Sequence, residues 1–229
     1  MFRIKICGIT TAEDGALAAG AGADAIGLNF YAHSPRFVDQ QRGRSIVNGL
    51  PPNVAKVGVF VNAPAAEIRA LAGSLALDFV QLHGDEPPEA MAELGGLSVI
   101  RAFRLGADGW QRWFAYLERC RQLNALPCAV LVDAHRHGEY GGTGQSPDWT
   151  IVSRFHDANI RLPLILAGGL TPGNVAEAIT AARPYGVDTA SGVEVRPGVK
   201  DKGRVEAFVA AARSALRQLA SEPDVPRSS

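Results

Sequence analysis

Leu162-Pro163-Leu164-Ile165-Leu166-Ala167-Gly168-Gly169-Leu170-Thr171-Pro172 decides the fold. A short apolar run ends on two glycines, after which a threonine and a proline offer a helix cap and a first helical position. Strands covered on both faces read in this way, as parallel strands do. Runs of the same kind recur along the chain at intervals of roughly 20 to 35 residues, the spacing of strands joined by crossover helices. The others are Arg3 to Cys7, Asp24 to Phe30, Ala55 to Val61, Leu77 to Leu82, Ser98 to Phe103, Cys128 to Asp133 and Gly186 to Ala190.

The segments between carry helix signatures. After Asp201, Val205, Phe208, Val209, Ala212, Leu216 and Leu219 form one stripe, with Arg213 and Arg217 off it. Ser146-Pro147 repeats the start signal of Thr171-Pro172, and Thr10 to Glu13 has capping-box spacing. Trp110, Trp113, Phe114 and Leu117 read as core contacts rather than a ligand cage. Eight consecutive strand-helix units favour a single closed (β/α)8 TIM barrel over an open sheet, because closure leaves no edge strand. The barrel is expected over residues 1–220. Residues 221–229, polar and broken by prolines, are expected to be a disordered tail.

The 229 residues carry 23 Lys and Arg against 23 Asp and Glu, so no overall field recruits nucleic acid or an anionic membrane. The start of the chain lacks a signal-peptide pattern, and no stretch gives 18 uninterrupted apolar residues. Cys7, Cys120 and Cys128 form neither an even disulfide framework nor a CxxC pair. A cytoplasmic protein, monomer or homodimer, acting on a small molecule is the expectation.

In a barrel of this kind the strand C-termini and the loops after them carry function. Gly168 and Gly169 let the backbone approach a ligand closely, and Ala190, Ser191 and Gly192 form a second small-residue turn after the eighth strand. Two such turns on the last two strands describe a phosphate cradle of backbone amides and helix dipole. No GxGxxG follows the first strand and no GxxxxGK[ST] occurs, so neither a redox cofactor nor ATP is implied. Cys7 ends strand one and Asp133 ends strand six. Cys7 reads either as a small buried hydrophobe or as a base. Asp133 reads either as the partner of Arg136 or His135, or as an acid. Together they suit proton transfer at two positions of one substrate, from opposite sides of the mouth. Arg36 could clamp a carboxylate bidentately or be an ordinary surface arginine. His83, Asp85, His135 and His137 lie near strand ends, but without an HExxH helix or a cysteine cluster they read as loop residues, and no metal is expected.

Lys5-Ile6-Cys7-Gly8-Ile9-Thr10, Ser34-Pro35-Arg36, Val57-Gly58-Val59-Phe60-Val61-Asn62 and Gln81-Leu82-His83-Gly84-Asp85-Glu86 resemble the phosphoribosylanthranilate isomerase family. So do Gly141-Gly142-Thr143-Gly144, Asp148-Trp149, Ala167-Gly168-Gly169-Leu170, Ser191-Gly192-Val193-Glu194 and Pro197-Gly198-Val199-Lys200-Asp201, over nearly the whole chain. The resemblance implies an Amadori rearrangement in tryptophan biosynthesis that converts N-(5-phosphoribosyl)anthranilate into 1-(2-carboxyphenylamino)-1-deoxyribulose 5-phosphate without a cofactor. It implies Cys7 as general base and Asp133 as general acid. Arg36 would hold the anthranilate carboxylate, Asp188 would contact the polar middle of the substrate, and His83 would line the pocket. The glycine turns would hold the phosphate. For Cys7 to act near neutrality its pKa must fall below about 8.5, or the substrate must assist, and that of Asp133 must rise above about 3.9. Asn29, where the family usually has an apolar residue, and Thr189-Ala190, in place of the more usual Val-Ser, depart from the pattern. Two rivals remain: the aminoaldose isomerase of histidine biosynthesis, whose family has an aspartate where Cys7 stands, and a non-catalytic sugar-phosphate-binding barrel.

Overall fold

The structure is a computed structural model that describes residues 1–104, 109–134, 149 and 162–221. The strands are β1 (Ile4–Cys7), β2 (Ala25–Asn29), β3 (Ala55–Phe60), β4 (Phe79–Leu82), β5 (Val99–Arg104), β6 (Ala129–Asp133), β7 (Leu164–Ala167) and β8 (Gly186–Thr189). Each lies within two residues of its apolar run. All pair in parallel in chain order, and β1 pairs with β8 to close the barrel. The described helices are α1 (Ala12–Gly20), α2 (Gln40–Asn48), α3 (Ala65–Leu75), α4 (Pro88–Glu93), α5 (Gly109–Gln122), α6 (Val175–Ala182) and α7 (Lys202–Ser221).

The apolar runs are continuous because the two faces of each strand serve different layers. Ile4 and Ile6 join an outer layer with Val205, Phe208 and Val209 of α7, all buried. Ala25, Val57, Ile100, Leu131 and Ile165 fill the barrel interior. Each of the larger side chains so buried contributes roughly 1.5–3 kcal/mol. In α5, Trp113 and Leu117 are buried and Phe114 half-buried, as core contacts should be; the side chain of Trp110 lies outside those described.

Three local expectations are corrected. Thr11, not Thr10, caps α1, its hydroxyl accepting from the Asp14 amide at 3.1 Å. Thr10 donates to the Gly198 carbonyl instead. Helix α6 starts at Val175 rather than Pro172, because Asn174 accepts from the Thr171 amide and folds residues 171–174 into a turn. After β8 the chain makes a 3-10 turn (Ser191–Val193) and then a hairpin of β9 (Glu194–Arg196) and β10 (Val199–Lys200), which the sequence reading passed over. Gly198, at φ 80°, makes its turn. The last helix reaches Ser221, one residue into the segment read as tail; residues 222–229 and Ser146-Pro147 lie outside the described residues. No described helix is long and apolar enough to cross a membrane.

Candidate active site

Strand alternation turns Lys5 and Cys7 inward. Gly27 stands opposite Cys7 on β2, and a Cβ there would lie 2.6 Å from Cys7 Sγ and 3.1 Å from Lys5 Cε. Glycine is therefore what gives the thiol and the lysine their room. Lys5 is fully buried and donates to Asp188 Oδ2 at 2.8 Å, across the β1–β8 seam. Burial works against its charge, but Asp188 and then Cys7 outweigh it and hold the ammonium pKa above normal. Burial pushes the Cys7 thiol up, against the pull of Lys5 and Lys200. The free protein thus carries Cys7 as a thiol rather than as a standing thiolate.

The hairpin after β8 supplies a second charged group beneath the mouth. Lys200 Nζ donates to the Cys7 carbonyl at 2.6 Å, the Ala190 carbonyl at 3.2 Å and Glu194 Oε1 at 2.8 Å, tying the ends of β1 and β8 together. Burial lowers its pKa. Glu194 also accepts the Arg36 fork, Nε at 2.8 Å and Nη2 at 2.6 Å. Burial opposes the charge of Glu194, but these bonds from Arg36 and Lys200 hold its carboxyl below the usual range. Arg36 is accordingly not an idle surface residue. One edge of its guanidinium is locked to Glu194, which leaves Nη1 and the second Nη2 proton for a ligand.

Asp133 sits at the end of β6 with His83 Nε2 3.7 Å from its Oδ2. The neighbours expected from sequence, His135 and Arg136, lie outside the described residues, as does His137. Gln81 on β4 places its Nε2 2.8 Å from His83 Nδ1. The loop after β4 is held from behind by Glu86, which accepts from the amides of Asn62 and Gly84 and pairs with Arg101 at 3.2 Å. Around the closed barrel Cys7 on β1 and Asp133 on β6 stand three strands apart of a possible four, with β7 and β8 between them on the shorter way round, so the two reach the mouth from well-separated positions, as the strand order suggested.

The two strands between them, β7 and β8, carry the glycine turns. Gly168 and Gly169 take φ of 90° and 67°, conformations that L side chains rarely adopt. A Cβ on Gly192 would collide with the Leu170 carbonyl, which also accepts from Thr189 Oγ1 at 2.7 Å. The two loops are thus pressed together. Amides at the start of the 3-10 turn have no acceptor within it, so those of Ser191 and Gly192 are available to an anion.

These groups open on one cavity of about 340 Å³. Of the residues singled out from sequence as catalytic, substrate-binding or phosphate-binding, only Gly192 does not line it. Among the described residues no cluster of metal-ligating side chains occurs. The reading missed Lys5, Gln81, Glu194 and Lys200. A lysine two residues before Cys7 in an apolar strand was a usable signal, because alternation puts both on one face. Glu194 and Lys200 gave none, since their contacts exist only once the hairpin folds back.

A family model described as N-(5'phosphoribosyl)anthranilate (PRA) isomerase matches residues 4–211. The N-(5'-phosphoribosyl)anthranilate isomerase of Rubrobacter xylanophilus is 45% identical over 217 residues, 93% of this chain and 100% of that protein. The crystal structure of phosphoribosyl anthranilate isomerase from Thermotoga maritima is 38% identical and superposes with a TM-score of 0.82, covering 93% of this chain and 100% of that one. A phosphoribosyl anthranilate isomerase in complex with reduced 1-(o-carboxyphenylamino)-1-deoxyribulose 5-phosphate is 36% identical, with a TM-score of 0.79, over 93% of this chain and 100% of that one.

Proposed function

Since this chain belongs to the N-(5'-phosphoribosyl)anthranilate isomerase family and carries out that isomerisation in tryptophan biosynthesis, we propose how its own residues do so, with Asp133 as general acid and Cys7 as general base. The observation that carries this is the single cavity into which a carboxyl, a thiol, an arginine edge and two amide-rich turns all open. The ligand's phosphate lies on the turns of Gly168, Gly169, Ala190, Ser191 and Gly192. Its anthranilate carboxylate reaches the free donors of Arg36, and Asp188 and His83 meet the ribose between.

Protonated Asp133 donates to the furanose ring oxygen; the C1–O bond breaks and the anthranilate nitrogen takes up the positive charge as an iminium. Cys7 thiolate then removes the proton from C2, and the C2–H electron pair moves to form the enolamine, which tautomerises to the aminoketose. Burial favours the Cys7 thiol; the iminium left by ring opening is a cation beside it that favours the thiolate, and the thiol gives its proton to solvent water as it becomes the base. The electron sink is the iminium of the substrate itself, so the route calls on no cofactor. The site is built from one chain, so monomer and homodimer serve it equally. A reducing cytoplasm suits a base that must stay a free thiol.

The test follows anthranilate-type fluorescence as the full chain acts on freshly generated phosphoribosylanthranilate. Rapid decay with the wild type and decay at the spontaneous rate with Cys7→Ala are expected. A Cys7→Ala protein that turns over at the wild-type rate removes Cys7 from the mechanism.

A further inference from the structure

Gln81 has no part in the roles above, yet both ends of its amide bear on the site. It lines the cavity and is 1% exposed. Its Nε2 lies 2.8 Å from His83 Nδ1. An amide nitrogen donates and cannot accept, so Nδ1 is the acceptor, and the single proton of a neutral imidazole then sits on Nε2. That nitrogen faces Asp133 Oδ2 at 3.7 Å. The other end of the amide, Gln81 Oε1, is buried and has no hydrogen-bond donor, and Asp188 Oδ1 is in the same state. Buried acceptors without partners cost free energy, and each needs an explanation. Two in one cavity ask for a ligand bearing O–H groups, which a ribose chain supplies.

We propose that Gln81 is a positioning residue for the isomerisation: its amide N–H holds His83 as the Nε2–H tautomer aimed at Asp133, and its amide oxygen accepts from a hydroxyl of the bound ribose. The two halves act together. A hydroxyl on Oε1 polarises the amide and strengthens its N–H as a donor, so seating the sugar tightens the arm that orients His83. When Asp133 gives its proton to the ring oxygen, the Nε2–H faces the new carboxylate and closes on it.

The inference rests on Asp133 being the acid, but its tautomer half is read without turnover. Long-range 15N–1H correlation spectra of the ligand-free full chain report which ring nitrogen of His83 carries the proton, and His83→Gln assigns the signal among five histidines. The wild type is expected to show Nε2–H. Gln81→Met should lose that preference, with kcat lower on the order of tenfold and KM raised by loss of the hydroxyl contact. Gln81→Glu keeps the shape and packing, should Met not fold. A carboxylate only accepts, so Nδ1 should gain a proton. A wild-type Nδ1–H tautomer, or a His83 signal and kcat unchanged in both variants, overturns the positioning role. An unchanged KM overturns the hydroxyl contact. An Asp133→Asn protein with full turnover would instead remove the acid and leave the tautomer result standing.

Discussion

Two parts of the mouth are built by different means. At the ends of β7 and β8 the lining is backbone: Gly168 and Gly169 in left-handed conformations, and Gly192 pressed against the Leu170 carbonyl. Around them, at and after the ends of β1, β2, β4 and β6, side chains are held by other side chains: Cys7 above the Lys5–Asp188 pair, Asp133 beside His83, and Arg36 locked to Glu194. A phosphate is the same charged group in substrate and product, so a rigid cradle of amides suffices for it. The reacting carbons change charge from step to step, and groups that must trade protons have to be tuned by neighbours.

If that division holds, substitutions in the two parts should fail differently. Asp133→Asn and Cys7→Ser should each lower kcat by about 10²- to 10⁴-fold, the usual contribution of a general acid or base, with KM and unfolding temperature little changed in steady-state assays and thermal melts. Next in size is Lys5→Met. It leaves Asp188 buried without its cation and should destabilise the fold by about 3–5 kcal/mol, read by denaturant unfolding. Gly192→Ala acts in the other part. Its Cβ must displace the Leu170 carbonyl, and losing one amide contact to a phosphate, about 1.5–3 kcal/mol, should raise KM by roughly 10- to 100-fold while kcat moves less. A Gly192→Ala enzyme with normal KM but crippled kcat would erase the distinction between the two parts.

The smallest effect concerns acid. Glu194 has its folded pKa lowered from 4.5. Such a group contributes stability that is complete above its unfolded pKa and is lost as the pH falls from there through the folded value. Glu194→Gln should therefore be less stable than the wild type at neutral pH by about 1–3 kcal/mol. The gap should narrow below about pH 4.5 as the wild type loses the ion pairs. Urea midpoints at neutral and acid pH read both.

The same division explains what could be read from the sequence. The barrel was legible because each strand announces itself as a short apolar run, and the turns proposed for the phosphate could be located because such a turn is written as glycines at fixed places, Gly168, Gly169 and Gly192. The chemistry of Cys7 and Asp133 was half legible. Their positions at strand ends could be read, but that β7 and β8 alone separate them on one side depends on β8 closing on β1. The supporting network was not legible at all. Arg36 and Glu194 are 158 residues apart in sequence and Lys5 and Asp188 are 183 apart. No local pattern joins such residues. The helix starts misread at Thr10 and Pro172 failed for a smaller reason: Thr11 and Asn174 sit within two residues of them and their side chains make the bonds that decide the start.

A crystal structure of this chain with reduced 1-(o-carboxyphenylamino)-1-deoxyribulose 5-phosphate would test directly whether both parts of the mouth hold one molecule. The expected result has the phosphate on the amides of the Gly168-Gly169 and Ser191-Gly192 turns, Cys7 Sγ against C2, and Asp133 within hydrogen-bond distance of the oxygen that closed the ring. A ligand whose phosphate lies away from those turns, or whose C2 lies out of reach of Cys7, would contradict it.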